Sequence, residues 1–506
     1  RLPISQMRGI ETSVSKIRGK VLEEVARAAY ESENVTQALE AIPFSISPTD
    51  EPRYRESVWR ERAIASERIR LAMGLSLRPS DHAVHMTSGF EESNITEKYY
   101  EPPLMQVIPS ACDRCEDNVY MVTNACRGCV AHPCMEVCPK GAISRVNGRA
   151  VIDQDKCIKC GKCKAICPYE AIVKKERPCA KACGVNAITT DDLGRAHINS
   201  DVCVSCGQCM VSCPFGAISD KSQIYQMIKC IKEGGQVIAA VAPAFEGQFG
   251  PDVTPKQILG ALKDVGFSEV YEVALGADIG AVAEAHHYVE EVATGNLPFL
   301  LTSCCPAWAM LAKNQFPESI DSISSELTPM VATARSIKKE HPDCKVVFIG
   351  PCAAKKLEAS RRTVRSDVDF VITFEELAAI FKARDINFDN YEKGRAMHNA
   401  TGAGRGYAVA GGVASAVTAC INEYYPDVPV HVEHAEGLSD CKKILMLAKA
   451  GKMDGCLIEG MGCPGGCIAG AGTIAPIKSA KTAVEKTVKE STKKLPPKDL
   501  VDIVLD

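Results

Sequence analysis

The stretch from Cys112 to Cys213, in which cysteine recurs at short fixed intervals, constrains the fold of this chain more than any other feature. It holds most of the 26 cysteines of the 506-residue chain. Within it a six-residue unit starts with cysteine and ends in Ala-Ile, and copies of it begin at Cys138, Cys167, Cys183 and Cys213. Internal repetition of this kind predicts repeated supersecondary units.

The spacing between these cysteines is that of iron-sulfur ligands. The run Cys-x2-Cys-x2-Cys-x3-Cys-Pro occurs at 157–168 and 203–214, and a version lengthened by two residues occurs at 126–139. In bacterial ferredoxins three thiolates of such a run hold one cubane and the fourth reaches a neighbouring cubane. This crossover rule predicts three 4Fe-4S clusters, held by Cys126, Cys129, Cys134 and Cys167, by Cys157, Cys160, Cys163 and Cys138, and by Cys203, Cys206, Cys209 and Cys183.

The cysteines of the stretch that are left over would form a fourth cluster: Cys112, Cys115, Cys179 and Cys213. A zinc site or buried thiols without a metal are the alternatives for this group. The stretch therefore carries up to four 4Fe-4S clusters. Because cubanes in series pass single electrons, we predict that it is an electron-transfer domain.

Cysteine usage and charge narrow the class of protein. Thiols that cluster as Cys-x2-Cys units in a long chain favour metal ligation over disulfides. The net charge of -4 and the pI near 6.3 give no sign of a nucleic-acid or membrane partner. No apolar run approaches the length of a membrane span, and the first residues are too charged for a signal peptide. We therefore expect a soluble, cytoplasmic protein.

Composition divides the chain into successive parts. Residues 1–104 contain no cysteine and are predicted to form a helical cap or docking region. The ferredoxin-like domain follows at 105–230, a domain of alternating strands and helices at 231–476, and a charged, helical, peripheral tail at 477–506. The predicted fold class is α+β multidomain, with an N-terminal helical region, a tandem ferredoxin-like 4Fe-4S domain and an α/β domain with mainly parallel sheets.

The elements of the α/β domain follow from their apolar patterns. The predicted strands are at 236–242, 269–275, 299–303, 345–351, 369–373 and 456–461. The predicted helices are at 258–265, 279–293, 330–339, 374–383 and 442–449.

Several of these strands run into cysteine motifs. The strand at 299–303 leads into Thr-Ser-Cys-Cys-Pro-Ala-Trp, the strand at 345–351 into Pro-Cys-Ala-Ala-Lys-Lys, and the strand at 456–461 into Met-Gly-Cys-Pro-Gly-Gly-Cys. Ligands bind beyond the carboxyl ends of strands in open α/β sheets, so these motifs predict one buried metal site. Its candidate residues are Cys304, Cys305, Cys352, Cys463 and Cys467. Cys304 and Cys305 are adjacent and cannot easily ligate the same iron.

The three motifs, in this order behind an iron-sulfur segment, resemble the signature motifs of the FeFe-hydrogenases over residues 105–475 or so. The resemblance implies an H-cluster, a 4Fe-4S cubane joined by one cysteine sulfur to a diiron unit with CO, cyanide and an azadithiolate bridge. It implies that the cubane is held by Cys305, Cys352, Cys463 and Cys467, the last of which also bridges to the diiron unit. Cys304 would pass protons to the bridging amine, Lys355 would donate to a cyanide, and Met461 would pack beside the diiron unit.

Other positions depart from the best-studied members of that family. Met330 stands where they have a glutamine, Gly350 where they have a methionine, and Ala471-Gly472-Thr473 where they have Gly-Gly-Gln. These departures indicate a divergent member, similar to group B.

The same resemblance implies a proton route that starts at Cys304 and includes Glu284 and Ser324. His287 stands in place of an outer glutamate on this route, and Glu291 in place of a surface arginine. A histidine relays protons near neutral pH. The alternative is that His287 and its neighbour His286 merely lie on a helix surface.

The resemblance implies an enzyme that interconverts H2 with two protons and two electrons, exchanges electrons with a ferredoxin or similar soluble carrier, and depends on proteins that mature the diiron cofactor. No glycine-rich nucleotide loop follows a predicted strand, so no nicotinamide site is expected. A slow-turnover hydrogen or redox sensor and a non-catalytic iron-sulfur assembly protein without the diiron unit are the alternatives. The cysteines predicted to be ordinary buried thiols are Cys230, Cys344, Cys420, Cys441 and Cys456.

Overall fold

The N-terminal region is helical and shares its core with the rest of the chain. In the computed structural model, which describes residues 9–395 and 400–501, it forms α1 (Ser13–Glu31), α2 (Val35–Ile46), α3 (Val58–Ala72) and the short α4 (Phe90–Ser93). Helix α1 begins at a capping box made by Thr12 and Ser15. Its apolar face, with Val25 and Ala26 fully buried, belongs to the same hydrophobic core as the main sheet.

Short strands and single-turn helices make up the ferredoxin-like domain, because the cysteine runs leave room for only one turn of helix between ligands. In chain order the elements are β1 (Met105–Val107), β2 (Val119–Val122), α5 (Pro133–Glu136), β3 (Ile143–Val146), β4 (Arg149–Ile152), α6 (Lys162–Ile166), β5 (Ile172–Lys175), α7 (Pro178–Lys181), β6 (Ile188–Thr190), β7 (Ala196–Ile198), α8 (Gln208–Ser212) and β8 (Ile218–Asp220).

These elements form two modules of the same design, one inserted into the other. The inserted module, residues 119–175, pairs β2 with β5 antiparallel and carries the hairpin β3–β4 and the helices α5 and α6. The split module, residues 105–115 and 178–220, pairs β1 with β8 and carries the hairpin β6–β7 and the helices α7 and α8. The chain thus begins the split module, completes the inserted one, and then returns. Spacing alone predicted repeats but did not predict this nesting.

The α/β domain alternates strands and helices. Its elements are α9 (Ile224–Lys232), β9 (Val237–Val241), α10 (Pro255–Val265), β10 (Glu269–Glu272), α11 (Ala274–His287), β11 (Leu300–Leu301), α12 (Pro306–Gln315), α13 (Pro329–Glu340), β12 (Lys345–Gly350), α14 (Ala354–Glu358), β13 (Phe370–Thr373), α15 (Phe374–Ala383), α16 (Gly402–Gly406), α17 (Gly412–Tyr424), β14 (His431–Glu436), α18 (Leu438–Lys449), β15 (Cys456–Met461) and α19 (Ile477–Glu490).

The strands of this domain form two parallel sheets, which confirms the predicted fold class. One sheet has the order β10-β9-β12-β13 and the other the order β11-β15-β14. Every residue of β9 is buried, as expected of a central parallel strand covered on both faces.

The structure differs from the predicted elements at several places, and the helices α9 and α17 were not predicted. Strand β10 ends at Glu272, and the residues predicted to extend it begin α11 instead. Small residues let α11 pack closely on α13, since a Cβ at Gly276 would lie 2.3 Å from the Pro329 carbonyl oxygen. Strand β14 was not predicted, because it is an edge strand in which only Ala435 is buried and no apolar alternation marks it.

The C-terminal tail is helical but not peripheral. Ala480 and Val484 of α19 are buried in the main core. Residues 502–506 of the predicted tail lie outside the described residues. Within the described ranges, every helix is too short or too polar to cross a bilayer.

Candidate metal centre and electron path

The loops that follow β11, β12 and β15 meet at one cavity. The space between its walls, including the part open to solvent, is about 720 Å³. All cysteines of the three motifs line it, namely Cys304, Cys305, Cys352, Cys463 and Cys467. Its wall also contains Lys355, Met461, Met330, Phe348 and Tyr407. We call it the five-cysteine cavity.

Trp308 holds the first motif against the strand that carries the third. Cys305 is the N-cap of α12, and Pro306 opens the helix. The Trp308 ring is fully buried and lies on Gly460 of β15, where a Cβ would come within 2.1 Å of it. Its indole N–H donates to the Thr302 carbonyl at 3.0 Å. Two of the cysteine loops are thereby fixed to each other.

The sulfur atoms in the cavity already receive hydrogen bonds. The Gly462 N–H donates to Cys305 Sγ at 3.4 Å, and the Gln208 amide of the split module donates to Cys463 Sγ at 3.2 Å. Burial raises the pKa of the Cys352 thiol to about 12. A thiolate here therefore needs a compensating positive charge, which a metal cluster supplies.

Glycine is required in the third motif for a backbone reason. Gly465 and Gly466 have φ of 98° and 85°, in the left-handed region. A Cβ on Gly466 would also lie 2.4 Å from the Ala410 nitrogen. A side chain at position 466 would therefore clash with the backbone segment at Ala410. Gly466 also lines the cavity.

The two lysines of the second motif face different surroundings. Lys355 Nζ lies 2.7 Å from Glu358 Oε2 and 3.2 Å from the Cys304 carbonyl oxygen, at the cavity wall. Burial opposes the charge, but the Glu358 carboxylate outweighs it and leaves the pKa of Lys355 raised. Lys356 instead reaches Asp220 at 2.7 Å and Glu376 at 2.8 Å, away from the cavity.

Glu284 lies directly behind the first motif. Its Oε1 accepts from the Ser303 N–H at 3.3 Å, and its Oε2 has no partner among the described residues. Burial raises the pKa of Glu284 to about 7, although the Ser303 N–H and the Ser324 hydroxyl partly offset it. Such a carboxyl exchanges protons near neutral pH.

The two histidines on α11 have different neighbours, and Glu326 lies next to His287. His286 lies 2.9 Å from Glu290, on the outside. His287 Nδ1 lies 3.7 Å from Glu326 Oε1, and the Glu326 N–H donates to Ser324 Oγ at 3.3 Å. Glu326 was not among the predicted site residues, because it occupies a loop with no motif around it.

Of the divergent positions, Met330 lines the cavity and Gly350 lies behind its wall, whereas Gly472 is not among the lining residues. Met330 lies on the wall and is buried. At Gly350 a Cβ would lie 2.4 Å from the Phe348 ring, so this ring fills the space that a longer side chain would need. At Gly472 a Cβ would lie 2.4 Å from the Cβ of Thr373, so Gly472 packs directly on that residue.

Tyr407 is a further cavity residue that the sequence did not reveal. It follows the glycine-rich helix α16, where no pattern distinguishes a site residue from a turn. Its hydroxyl is buried and has no partner within the described ranges. Burial raises the pKa of Tyr407, with Glu284 and Cys304 among its charged neighbours.

The cysteines of the ferredoxin-like domain come together in four groups. Cys126, Cys129, Cys134 and Cys167 line one pocket of about 340 Å³. Cys112, Cys115, Cys179 and Cys213 line another of about 320 Å³. Burial raises the pKa of Cys206 and Cys209, and Cys203 and Cys183 are among the charges that add to it. Cys138, Cys157 and Cys163 pack in one apolar cluster, which also contains Cys134 and Cys167. We name each group by its first cysteine: the Cys126, Cys112, Cys203 and Cys157 groups.

Backbone geometry repeats in all four groups. The third residue of the first Cys-x2-Cys pair in each group has positive φ, and these residues are Arg114, Gly128, Lys159 and Ser205. Positive φ also recurs three residues after the cysteine that starts each six-residue unit, at Gly141, Glu170, Asn186 and Gly216. The leftover pair Cys112 and Cys115 therefore has the loop geometry of the recognised cluster loops.

The Ala-Ile end of each repeated unit has a structural role. In three of the four units the alanine N–H donates to the sulfur of the cysteine that starts the unit, at 3.3 Å for Cys138, 3.2 Å for Cys183 and 3.4 Å for Cys213. The isoleucine then begins a strand.

Among the described residues no three His, Cys, Asp or Glu side chains are grouped to hold a single metal ion.

Arg177 closes the split module across the insertion. It is buried and donates to the Cys115 carbonyl at 3.0 and 2.8 Å and to the Gly194 carbonyl at 3.1 Å. The Cys112 group is thus assembled from chain segments on both sides of the inserted module.

The Cys203 group lies next to the five-cysteine cavity. Burial raises the pKa of Cys206, and Cys463 is among the charges that contribute. A Cβ on Gly207 would lie 2.4 Å from the side chain of Ala471, which follows the cavity residue Gly470. Of the remaining cysteines, Cys230, Cys344, Cys420 and Cys441 are buried and Cys456 is half-buried.

Comparison with known protein families gives matches along the chain. The profile of the iron only hydrogenase large subunit, C-terminal domain, matches residues 235–471. That of the LdpA Fe-S cluster-binding domain matches 173–224, and that of the 4Fe-4S binding domain matches 150–173.

Similar curated proteins include two bacterial hydrogenases and a plant protein. Iron hydrogenase 1 of Clostridium pasteurianum is 30% identical over 278 residues, 47% of this chain and 48% of the relative. The periplasmic Fe hydrogenase large subunit of Nitratidesulfovibrio vulgaris is 29% identical over 374 residues, 63% of this chain and 85% of the relative. Protein NAR1 of Arabidopsis thaliana is 24% identical over 330 residues, 51% of this chain and 69% of the relative. The chain therefore spans about half the length of the first of these relatives.

Proposed function

We propose that this chain, which is a divergent FeFe-hydrogenase-like protein, catalyses the reversible oxidation of H2 to two protons and two electrons. The observation that carries the proposal is the convergence of all motif cysteines, Lys355 and Met461 on one buried cavity. A structural metal site has no need of a free thiol and a buried lysine beside its ligands.

The residues of the cavity fit an H-cluster. Soft thiolates suit a cubane, and Cys305, Cys352, Cys463 and Cys467 would hold it. Iron-bound thiolates accept hydrogen bonds from N–H groups, and such bonds are present at Cys305 and Cys463. Tyr407 adds a buried hydroxyl without a partner among the described residues, and a metal ligand in the cavity would supply its acceptor.

When bound, the H-cluster supplies the metal ions and the basic amine at which H2 is split. Lys355 keeps a positive charge at the wall, where it can donate to an anionic ligand while Glu358 holds its ammonium group. Cys304 is not needed as a cubane ligand, so its thiol is available to carry a proton between the cavity and Glu284.

The proton route continues from Glu284 towards the surface. Ser324 lies beside Glu284 and accepts from the Glu326 N–H. Glu326, with His287 next to it, takes the place of the outer carboxylate. Carboxyl and imidazole groups both transfer protons near neutral pH.

Electrons move singly between the cavity and the ferredoxin-like domain. The Cys203 group is the exit, because Gln208 donates to Cys463 and the charge of Cys463 acts on Cys206. The Cys112 group follows in the split module, and the Cys126 and Cys157 groups follow in the inserted module. The expected partners are H2 and protons, a ferredoxin-type carrier, and the proteins that mature the diiron unit.

An infrared spectrum recorded without oxygen tests the proposal. After maturation with synthetic diiron cofactor, the protein should show bands of metal-bound CO and cyanide that shift under H2. Iron quantitation establishes in parallel that the cubanes are filled. Filled cubanes without any such bands would contradict the proposal.

A second candidate function is iron-sulfur cluster assembly without hydrogen chemistry. It is favoured by the similarity to protein NAR1 and to the cytosolic Fe-S cluster assembly factor NAR1 of Kluyveromyces lactis, which is 37% identical over 92 residues. The altered wall at Met330 and Gly350 agrees with it. The infrared experiment separates the two, since an assembly protein would carry cubanes alone.

A further inference from the structure

The inserted and split modules present the same cluster loop to different surroundings. Residues 156–169 of the inserted module and 202–215 of the split module have the same cysteine spacing, the same short helix and the same positive φ at Lys159 and Ser205. The two loops can therefore be compared with each other in burial and in charge.

In the split module this loop is covered by the next electron acceptor. Val204 is 1% exposed and Met210 is 3% exposed. Gln208 donates to Cys463, and Gly207 contacts Ala471. The whole stretch 202–215 contains no charged residue. This face of the fold is the one through which a cluster meets its redox neighbour.

In the inserted module the equivalent loop is uncovered. Ile158, which corresponds to Val204, is 55% exposed, and Tyr169 is 49% exposed. Within the described ranges, Cys160 is the one cysteine whose side chain is exposed. Because electron tunnelling weakens steeply with distance, the cubane that Cys160 would hold is the one most open to an external partner.

Charge distinguishes the uncovered loop from the covered one. Lys159, Lys162 and Lys164 stand where the split module has Ser205, Gln208 and Met210. All three lysines are exposed, and none makes an ion pair within the described part of the chain. Lys156 is paired with Asp153 Oδ2 at 3.4 Å, so the positive charge of the loop comes from the three unpaired lysines. Stretch 156–169 itself contains no acidic residue, and the nearest acids in the sequence are Asp153, Asp155 and Glu170. An exposed apolar centre within a basic rim is typical of a transient docking surface.

We propose that an acidic one-electron carrier protein of the ferredoxin kind docks on the face formed by residues 156–169. On docking, the reduced carrier loses one electron and the cubane of the Cys157 group gains it, or the reverse, with no bond made or broken. The inference rests on the proposed function for its physiological direction, but not for its test.

The test is reduction of the as-isolated, cluster-loaded protein by a photoreduced acidic 2[4Fe-4S] ferredoxin in a stopped-flow instrument. The variant Lys159→Glu/Lys162→Glu/Lys164→Glu should lower the second-order rate constant by about 10-fold or more at low salt, because steering of the carrier is lost. The fall in rate with added salt, which marks attraction, should disappear.

Two controls isolate the docking surface. Lys478→Glu/Lys489→Glu/Lys493→Glu makes the same change in net charge at exposed lysines near the C-terminus and should leave the rate unchanged. A neutral viologen should reduce all proteins at equal rates.

A second loop variant, Lys159→Ser/Lys162→Gln/Lys164→Met, carries the residues of the split module, so the loop tolerates them. It should also lose the salt dependence.

A wild-type rate in both loop variants at equal iron content would overturn the proposal. An equal loss in the C-terminal variant would do the same, since net charge alone would then explain the effect. No H2 is consumed in this assay. A protein without CO and cyanide bands therefore still tests the docking surface, and the two proposals fail separately.

Discussion

Glu284 should change protonation near neutral pH. Burial raises its pKa to about 7, so the carboxyl is protonated below that pH and ionised above it. Infrared difference spectra of the cluster-loaded protein, from about pH 5 to about pH 9, should show a protonated-carboxyl band that fades as pH rises through about 7. The band should be missing in Glu284→Gln.

The matched control for this band is Glu326→Gln, which removes a partly exposed carboxyl on the same route and should leave the band in place. Loss of a positioned acid or base costs about 10²–10⁴-fold in rate, so Glu284→Gln should lower turnover in both directions by that factor. Persistence of the band in Glu284→Gln would assign it to another carboxyl.

Helix α3 delivers a positive charge to the Cys112 group. Arg68 is 6% exposed, donates to the Gly216 carbonyl, and keeps two guanidinium nitrogens without partners among the described residues. Cys213 is among its charged neighbours. The cubane proposed for this group would carry four thiolates and a negative charge, so the arginine would stabilise its reduced form. The N-terminal region thus contributes more than a cap.

The variant Arg68→Met should lower the reduction potential of that cubane by on the order of tens of millivolts. Arg68→Lys keeps the charge and should retain most of the wild-type value. Redox titration followed by electron paramagnetic resonance measures the potential, at iron content equal to that of the wild type. The same potential in Arg68→Met and wild type would show that the arginine is only structural.

Lys356 connects the ferredoxin-like domain to the α/β domain. It is 1% exposed and lies between Asp220 at the end of β8 and Glu376 on α15. Arg18 of α1 reaches the adjacent Glu375 at 2.6 Å, so the N-terminal region joins the same network. Removing one partner of a buried pair leaves the other charges uncompensated and costs roughly 3–5 kcal/mol.

Lys356→Met should therefore lower the apparent Tm of the whole protein, measured at one fixed scan rate because cluster loss makes unfolding irreversible. Lys443→Met breaks an exposed pair with Asp440 and should have little effect. An unchanged Tm in Lys356→Met would indicate that packing alone holds the domains together.

Elements with strong local patterns were predictable, and those set by packing were not. Apolar runs such as β9 and β12 define buried parallel strands from sequence alone. The edge strand β14 has no such run and gains its partner only from β15. Residues 274–275 were predicted to extend β10, but the close contact of α11 with α13 makes them helical.

The sequence by itself determined the cysteine chemistry, because ligand spacing in a cluster loop is a local property of a few residues. It also determined the three motif loops, since each directly follows a strand. Tertiary structure alone decided the nesting of the two modules, the exposed and covered faces of their matching loops, and the positions of Glu326, Tyr407 and Arg68. These depend on which distant segments meet, and contacts across the chain leave no periodic signal in the sequence.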